Sequence, residues 1–424
     1  MNTFQQSLIG KLNENPEDRY AKLGLKFNPF PAAAIAQFTH LDPVDSDIFE
    51  KIGYFITNTY KKNVNDGNIG DYAGLTIVGS YGSGKTHLMK YIERQINDIS
   101  INKSVDFSSL TAFIDRPEEK PLNIITKIIE DLQPDNLRRM IWYCIYPYLI
   151  SNKDSFFETY FKTSLFTDTD KEELFRPEIL GNPLVFYEKV KRLRGNINKL
   201  FEDCQNILTH SNHDFQITND ISIAQRYLGL IFPEKAPNHN WEVLTGYVTT
   251  KDVQNKEFLF LKSLVKILQK NGYGMLYVFI DEFENFATLK GAKLTNYINT
   301  LSTMINKERN WAVITSITQD ALQAIKPESP QLFDRLVSVE IKLNSLNMET
   351  GKRMIDNYLN FAKKSSEVET PNVFSELLLT EMIRKTEGNA RGLIKLCNKV
   401  IEKAADSKNF QIPIQSEILA DINF

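Results

Sequence analysis

GSYGSGKTH, residues 79–87, has the spacing G-x-x-x-x-G-K-T of a phosphate-binding loop. Glycines let successive backbone N–H groups turn towards phosphate oxygens, and a helix after such a loop offers its positive N-terminal end. Here the apolar run LTIVG (75–79) leads into the loop, and residues 85–97 have a helical pattern. This strand–loop–helix context favours a nucleotide-binding loop over a glycine turn that binds nothing.

The residues of this loop have distinct expected tasks. Lys85 would reach the β- and γ-phosphates, and the hydroxyl of Thr86 would be a ligand of Mg²⁺. The sequence therefore predicts ATP and Mg²⁺ as cofactors. The cofactor-binding residues expected from the loop are Gly79, Ser80, Tyr81, Gly82, Ser83, Gly84, Lys85, Thr86 and His87.

A second motif, MLYVFIDEFENF (275–286), brings acids to the end of an apolar strand. That edge of an open α/β sheet is where ligands bind. Asp281 there can hold Mg²⁺, directly or through water, and Glu282 can orient and polarise the attacking water. Acids after strands also cap helices, and this simpler interpretation suits Glu284. Together with the loop, Asp281 and Glu282 predict hydrolysis of ATP, with Glu282 and Lys85 as catalytic residues.

A third strand, WAVITSIT (311–318), ends in hydroxyl side chains. A polar group at this position could contact the γ-phosphate and the attacking water. Ser316 and Thr318 are both candidates, and alternation along the strand does not decide between them. The simpler interpretation is that Ser and Thr merely finish the strand.

Two arginines follow in the sequence. Arg335 precedes the predicted strand LVSVEIKL (336–343), where it could act on the nucleotide of a neighbouring subunit or pair with Asp334. Arg391 lies in the first turn of a predicted helix. A cation there opposes the helix dipole by about 0.3–1 kcal/mol, which favours an anionic partner such as a phosphate.

Strands separated by helical segments predict an α/β fold with a parallel sheet flanked by helices. Residues between the two nucleotide motifs are rich in aromatic and charged side chains and have a helical pattern. The predicted division is an N-terminal linker region (1–45), the first part of the α/β core (46–132), a mainly helical insertion (133–245), the second part of the core (246–345) and a helical lid (346–424).

Composition narrows the class of protein. The chain has 424 residues and a formal net charge of -3, so a nucleic-acid contact would need a local basic patch. One basic cluster, YEKVKRLRGNINK (187–199), fits either such a contact or a solvated helix face. No apolar run reaches the roughly 18 residues of a membrane span. The three cysteines, Cys144, Cys204 and Cys397, lie far apart, which favours a reducing cytoplasm over a disulfide framework.

Five motifs occur in the order typical of AAA+ ATPases: GSYGSGKTH, VFIDEFENF, WAVITSIT, LFDR and GNARGL. The set resembles the branch that contains the origin-recognition (Orc/Cdc6) proteins, transposition-regulator ATPases and the secretion ATPase ExeA. The resemblance implies that Arg391 is the second sensor and that Arg335 is the finger acting across subunits. It also implies nucleotide-dependent homo-oligomers and a position beside the adenine for Phe30, within the NPF motif. Origin-recognition proteins usually continue into a winged-helix DNA-binding domain, which is not expected from the residues after the lid.

AQRYLGLIF, followed by LVKILQKNGYGMLYVFIDEFENF, resembles the ATP-binding proteins of BREX-type phage-exclusion systems, in particular their D-type ATPase. That resemblance implies a switch in a DNA-associated defence complex with a helicase, nuclease or methylase partner, and double-stranded DNA as a further partner. Two alternatives stay open. One is a scaffold that holds ATP and turns it over slowly, and the other is a transposition-type selector of DNA targets.

Overall fold

The computed structural model describes residues 16–33, 43, 46–61, 74–102, 107–117, 122–151, 153–161, 167–210, 215–233, 256–363, 372–407 and 412–422. The strands are β1 (Leu75–Gly79), β2 (Ser109–Ile114), β3 (Met275–Ile280), β4 (Trp311–Ile317) and β5 (Val339–Leu343). The helices before β3 are α1 (Pro16–Ala21), α2 (Ser46–Tyr60), α3 (Lys85–Ile101), α4 (Leu122–Asp131), α5 (Pro134–Leu149), α6 (Lys153–Tyr160), α7 (Asp168–Leu174), α8 (Pro177–Leu180), α9 (Pro183–Arg192), α10 (Ile197–Thr209), α11 (Ile221–Gly229) and α12 (Lys256–Lys270). The helices after β3 are α13 (Ala292–Lys307), α14 (Gln319–Glu328), α15 (Pro330–Leu336), α16 (Met348–Ala362), α17 (Glu376–Lys385) and α18 (Ala390–Asp406), with 3-10 turns at Phe283–Thr288 and Ser416–Asp421.

The five strands form one sheet in the order β2-β3-β4-β1-β5. β2, β3 and β4 pair in parallel, with Ala112 opposite Val278 and Val278 opposite Val313. Every residue of β1, β3 and β4 is buried, because continuous apolar runs suit strands that are covered on both faces. Helices α4 and α12 pack on β2 and β3. The α/β fold with a parallel sheet flanked by helices is confirmed.

The chain forms two compact units. One contains residues 1–54, 77–95 and 340–424, and the other contains residues 55–76 and 96–339. The Gly-rich loop is therefore in the unit that contains the C-terminal helices, and the acids after β3 are in the other unit. The five-part division expected from the sequence stays a prediction.

The stretch between the two nucleotide motifs is helical in the residues that are described, from α5 to α11. Its aromatic side chains form a core of their own. The Trp142 ring lies 4.9 Å from the Phe186 ring, and its Nε1 donates to the carbonyl of Leu180 at 2.6 Å. On the same helix, Tyr143 and Tyr148 are exposed. Residues 234–255 of the expected insertion and core lie outside the described residues.

The C-terminal helices share a core with the N-terminal segment of the same unit. Leu23, Leu25 and Phe30 are buried beside α16, α17 and α18. Arg19 makes ion pairs with Glu402 and Asp406, each at 2.8 Å. Described residues from Arg19 to Phe30 are thus packed against the C-terminal helices.

β3 ends at Ile280, directly before the acids as the sequence predicts, and Glu282 has a φ of 47°, outside the range of strand residues. One boundary differs from the sequence prediction. β5 begins at Val339 rather than at residue 336, because Ser329 caps a helix with Pro330 at its first position. Arg335 therefore lies in the last turn of α15.

The three cysteines are free and buried. Burial raises the pKa of the Cys144 thiol to about 12 and raises the pKa of the Cys204 and Cys397 thiols as well. Among the helices of the described residues, none has the length and apolar character needed to cross a bilayer.

Candidate functional site

The phosphate loop joins the buried strand β1 to α3, which begins at Lys85. Gly82 and Gly84 have φ values of 78° and 101°, in the left-handed region that favours glycine. The ammonium of Lys85 donates to the carbonyls of Gly79 at 3.0 Å and Ser80 at 3.2 Å. The lysine is thus held over its own loop, at the place where the sequence predicts phosphate contacts.

Close packing makes glycine necessary at the start of the loop. A Cβ on Gly79 would lie 2.4 Å from Ser83 Oγ and 3.1 Å from the Leu343 Cβ. Ser83 Oγ is buried, and it has no hydrogen-bond partner among the described residues. Such a group costs about 1–3 kcal/mol when it stays unsatisfied, so it suits a polar ligand. Thr86 is exposed and His87 half-buried in the first turn of α3.

Arg391 meets the same loop from the first turn of α18. Its backbone N–H donates to the carbonyl of Gly82 at 3.0 Å, and its Nη1 donates to the hydroxyl of Tyr81 at 2.6 Å. Asn389, the N-cap of α18, donates from Nδ2 to the carbonyl of Tyr81 at 2.7 Å. A Cβ on Gly82 would lie 2.7 Å from Asn389 Oδ1. The structure therefore brings the expected second sensor to the phosphate loop.

In the other unit, Asp281 follows β3 and is 5% exposed. Its Oδ1 accepts hydrogen bonds from the backbone of Glu282 at 3.0 Å and from Ser316 Oγ. Ser316 Oγ in turn accepts from the backbone N–H of Glu282 at 3.1 Å. The Ser316 hydroxyl thus contacts the carboxylate of Asp281 and the backbone N–H of Glu282.

The contact of Ser316 with Asp281 distinguishes the two hydroxyl candidates, Ser316 and Thr318. Ser316 points to the acids, whereas Thr318 is half-buried as the residue before α14, and its side chain does not cap that helix. The preceding hydroxyl residue, Thr315, lies 2.9 Å from the hydroxyl of Thr76. Of the two candidates, only Ser316 contacts the acids among the residues described.

Glu282 has an exposed side chain that is held by donors from two directions. Its Oε2 accepts from Arg116 Nε at 3.0 Å and Nη2 at 2.9 Å, and from Asn285 Nδ2 at 3.2 Å. Arg116 follows β2, the strand beside β3, and was not predicted from the sequence. A basic residue at the carboxyl end of a neighbouring strand is the signal that could have indicated it.

Two expected residues have different surroundings. Phe30 is 1% exposed, stacked on Tyr358 at 5.3 Å between ring centroids, so its side chain is part of the core of its unit. Its place beside the adenine stays a prediction. Arg335 is half-buried, and its guanidinium makes no ion pair, with Asp334 or any other acid, in the described part of the chain. Its role in a neighbouring site also stays a prediction.

Taken unit by unit, the polar groups described above are of the types that bind a nucleoside triphosphate and a hard cation. Lys85, Arg391 and the N-terminal turn of α3 supply positive charge and N–H donors in one unit. In the same unit Thr86 carries a hydroxyl oxygen, and in the other unit Asp281 carries a carboxylate; each is an oxygen ligand of the type that Mg²⁺ takes. When bound, Mg²⁺ would neutralise charge on the phosphate oxygens.

Among known proteins, only solved structures show a similarity to this chain. No family model matches the chain, and no curated protein matches it. Among solved structures, the ORC2 protein of Aeropyrum pernix with ADPNP and ADP is similar, at 10% identity and a TM-score of 0.44, over 86% of this chain and 68% of that one. The ADP form of the same protein is similar at 11% identity and a TM-score of 0.44, over 90% of this chain and 68% of that one.

Proposed function

We propose that the chain binds ATP with Mg²⁺ and hydrolyses it, as a switch of the AAA+ type. The strand–loop–helix of residues 75–101, with its two left-handed glycines and the Lys85 ammonium over the loop, is the observation that carries the proposal. Lys85 and Arg391 would bind phosphate, Asp281 and Thr86 would hold Mg²⁺, and Glu282 would polarise the attacking water. Ser316 keeps the two acids in position.

The test measures ATP binding and turnover separately. Removing the ammonium in Lys85→Ala loses a charged hydrogen bond, so ATP affinity should fall by about 10- to 100-fold. Glu282→Gln should keep the affinity and lower turnover by about 100-fold or more. Lys90→Ala on the same helix is the control, because it also removes an ammonium from α3 and the Lys90 ammonium pairs with Glu93 at 3.1 Å. Wild-type affinity in Lys85→Ala would contradict the proposal.

A second candidate, a scaffold that turns ATP over slowly, is favoured by one observation. Glu282 Oε2 accepts three hydrogen bonds, two of them from Arg116. A carboxylate oxygen occupied in this way is a poorer base for the attacking water. Tight ATP binding with turnover that Glu282→Gln does not change would support the scaffold.

Assembly into a homo-oligomer is part of the proposal, and Arg335 is the residue that bears on it. A half-buried guanidinium without an acid partner in the described part of its own chain suits a contact with a neighbour's nucleotide. Mass measured by light scattering with and without ATP tests assembly. Arg335→Ala should keep ATP affinity and lose turnover in the assembled form. Full turnover by a monomeric Arg335→Ala would refute this part.

A role on DNA is supported by a basic face rather than by net charge. Lys262, Lys266 and Lys270 are spaced four residues apart on α12, and the ammonium of Lys307 from α13 lies over the same Phe258 ring as that of Lys262, at 5.7 and 6.0 Å. Burial and repulsion by Lys262 and Lys270 lower the pKa of Lys266. The polyanionic backbone of double-stranded DNA would relieve that repulsion.

In the competing basic cluster of residues 187–199, which runs from α9 into α10, two lysines have acidic partners. Lys189 pairs with Glu173 at 2.6 Å, and Lys199 pairs with Asp203 at 2.9 Å. Affinity for duplex DNA, measured over a series of salt concentrations, should fall when Lys262, Lys266 and Lys270 become glutamine. It should stay near the wild type when Lys191, Arg192 and Arg194 become glutamine. The reverse result would indicate that DNA binds to the basic cluster of residues 187–199 instead.

The defence role proposed from the BREX resemblance rests on the sequence motifs alone. Copurification of the tagged chain with the products of its neighbouring genes tests it. Recovery of a helicase, nuclease or methylase in ATP-dependent amounts would support the role.

A further inference from the structure

Tyr81 is an exposed aromatic residue within the phosphate loop. Its side chain is 75% exposed, although large apolar surfaces are usually buried in a folded protein. A loop that only surrounds phosphates with backbone N–H groups does not need an aromatic ring at this position. The ring therefore calls for an explanation in terms of what it touches.

It touches the guanidinium of Arg391 in two ways. Nη1 donates to the phenol oxygen at 2.6 Å, and the guanidinium carbon lies 5.3 Å from the centre of the ring. Backbone contacts fix both partners, because Asn389 Nδ2 holds the Tyr81 carbonyl and the Arg391 N–H holds the Gly82 carbonyl. Hydrogen bonds to the backbone therefore hold Tyr81 and Arg391 beside each other, so their contact does not depend on the two side chains alone.

The contact uses only part of the guanidinium. Arg391 Nε is buried, and among the described residues neither Nε nor Nη2 has a hydrogen-bond partner. An arginine can present the Nε–Nη2 edge as a fork to two oxygens of a phosphate. Among the described residues no acid pairs with Arg391, whose positive charge opposes the α18 dipole.

We propose that Tyr81 is a positioning residue for Arg391. The phenol and the ring hold the guanidinium by Nη1 and by its face, so that the Nε–Nη2 edge receives the terminal phosphate of ATP. This inference rests on the proposed function, and it adds the residue that aims the second sensor. Lysine could not replace Arg391, because one ammonium does not serve the phenol and two phosphate oxygens in a fixed fork.

The test is a double-mutant cycle on the full chain, with dissociation constants for ATP and ADP. Tyr81→Phe keeps the ring and removes the hydroxyl, and it should weaken ATP binding by about 5-fold. ADP lacks the terminal phosphate, so its affinity should stay near the wild type. In the Arg391→Ala background, Tyr81→Phe should have no further effect. Tyr54→Phe, at an exposed tyrosine of the same unit, is the control.

Each other outcome overturns the inference. Equal weakening of ATP and ADP would give Tyr81 a structural role only. Unchanged or tighter ATP binding in Tyr81→Phe would mean that the phenol does not aim the arginine or competes with phosphate for it. Failure of the proposed function is distinguishable, because then the wild type itself would not bind ATP and Lys85→Ala would change nothing.

Discussion

Arg116 donates two hydrogen bonds, from Nε at 3.0 Å and from Nη2 at 2.9 Å, to one carboxylate oxygen of Glu282. The two residues are 166 positions apart in the chain and meet because β2 and β3 are neighbours in the sheet. The positive charge of Arg116 is thus paired with the carboxylate that would act as the base in the proposed function.

Arg116→Ala should raise ATP turnover. Both side chains are exposed, so the pair contributes at most about 1 kcal/mol and the increase should not exceed about fivefold. High salt should raise turnover of the wild type towards that of the variant, because it screens an exposed pair. Arg139→Ala, at an exposed arginine of α5, is the control. Slower turnover in Arg116→Ala would show instead that Arg116 holds Glu282 in its working position.

Ser316→Ala should lower turnover more than Thr318→Ala. Ser316 is fully buried and donates to Asp281, so its removal deprives a buried carboxylate of a partner, at a cost of about 1–3 kcal/mol. Thr318 has no such contact in the described structure. Turnover across a Mg²⁺ titration, with the midpoint of thermal unfolding for each variant, separates loss of metal binding from loss of folding. Equal effects would remove the distinction between the two hydroxyls.

Gly82→Ala should destabilise the protein and weaken ATP binding. The φ of 78° disfavours a side chain, and the new Cβ would lie 2.7 Å from Asn389 Oδ1 and 3.1 Å from the Arg391 Cβ. Gly53→Ala is the control, and we expect it to change the stability of the protein in the opposite direction. Gly53 lies within helix α2 with nothing within 4 Å of the added Cβ, so alanine should stabilise by about 0.5–1 kcal/mol. Thermal unfolding measures both, and a stabilising Gly82→Ala would contradict the packing of α18 on the loop.

Glu308 should make the stability of the protein fall as the pH rises. Burial raises the pKa of this carboxyl from 4.5 to about 7, against the opposing effects of the Arg309 N–H and of the charges on Lys262, Lys266 and Arg309. The folded state therefore keeps a proton that the unfolded chain has already released. Between pH 4.5 and about 7 the free energy of unfolding should decrease by up to about 3 kcal/mol from this group.

The measurement is denaturant unfolding of Glu308→Gln and the wild type at pH 5 and pH 8. Glutamine has no charge to bury, so the variant should gain stability over the wild type at pH 8 relative to pH 5. Glu328→Gln, at an exposed glutamate of α14, should show no such difference. A Glu308→Gln that follows the wild type at both values would mean that Glu308 is ionised in the folded protein at pH 5.

The phosphate loop and the acids after β3 could be predicted because their chemistry is local in the sequence. Each follows an apolar run that must be a buried strand, and its residue types are those that phosphate and Mg²⁺ require. The choice between Ser316 and Thr318 could not be made in the same way. Every residue of β4 is buried, so alternation along the strand carries no information about which face is which.

The contacts that the sequence did not indicate are long-range. The pairing of Arg116 with Glu282 depends on strand order, and the burial of Phe30 depends on helices that come more than 300 positions later. Arg335 could have preceded a strand or ended a helix. The Ser329 cap and Pro330 at the first helical position favour the helix, so Arg335 lies in its last turn. Such outcomes follow from packing and capping energies that residue patterns alone do not rank.

The unit that contains the phosphate loop is assembled from three separate stretches of chain, 1–54, 77–95 and 340–424. During synthesis the loop leaves the ribosome long before the segment from Asn389 to Arg391 that holds Tyr81 and Gly82. The other unit contains residues 55–76 and 96–339, so its last residue precedes the whole C-terminal stretch of the first unit. If the chain binds nucleotide as proposed, a nascent chain would therefore acquire that ability last. A chain interrupted before α18 would carry the loop sequence without the side chains that secure it.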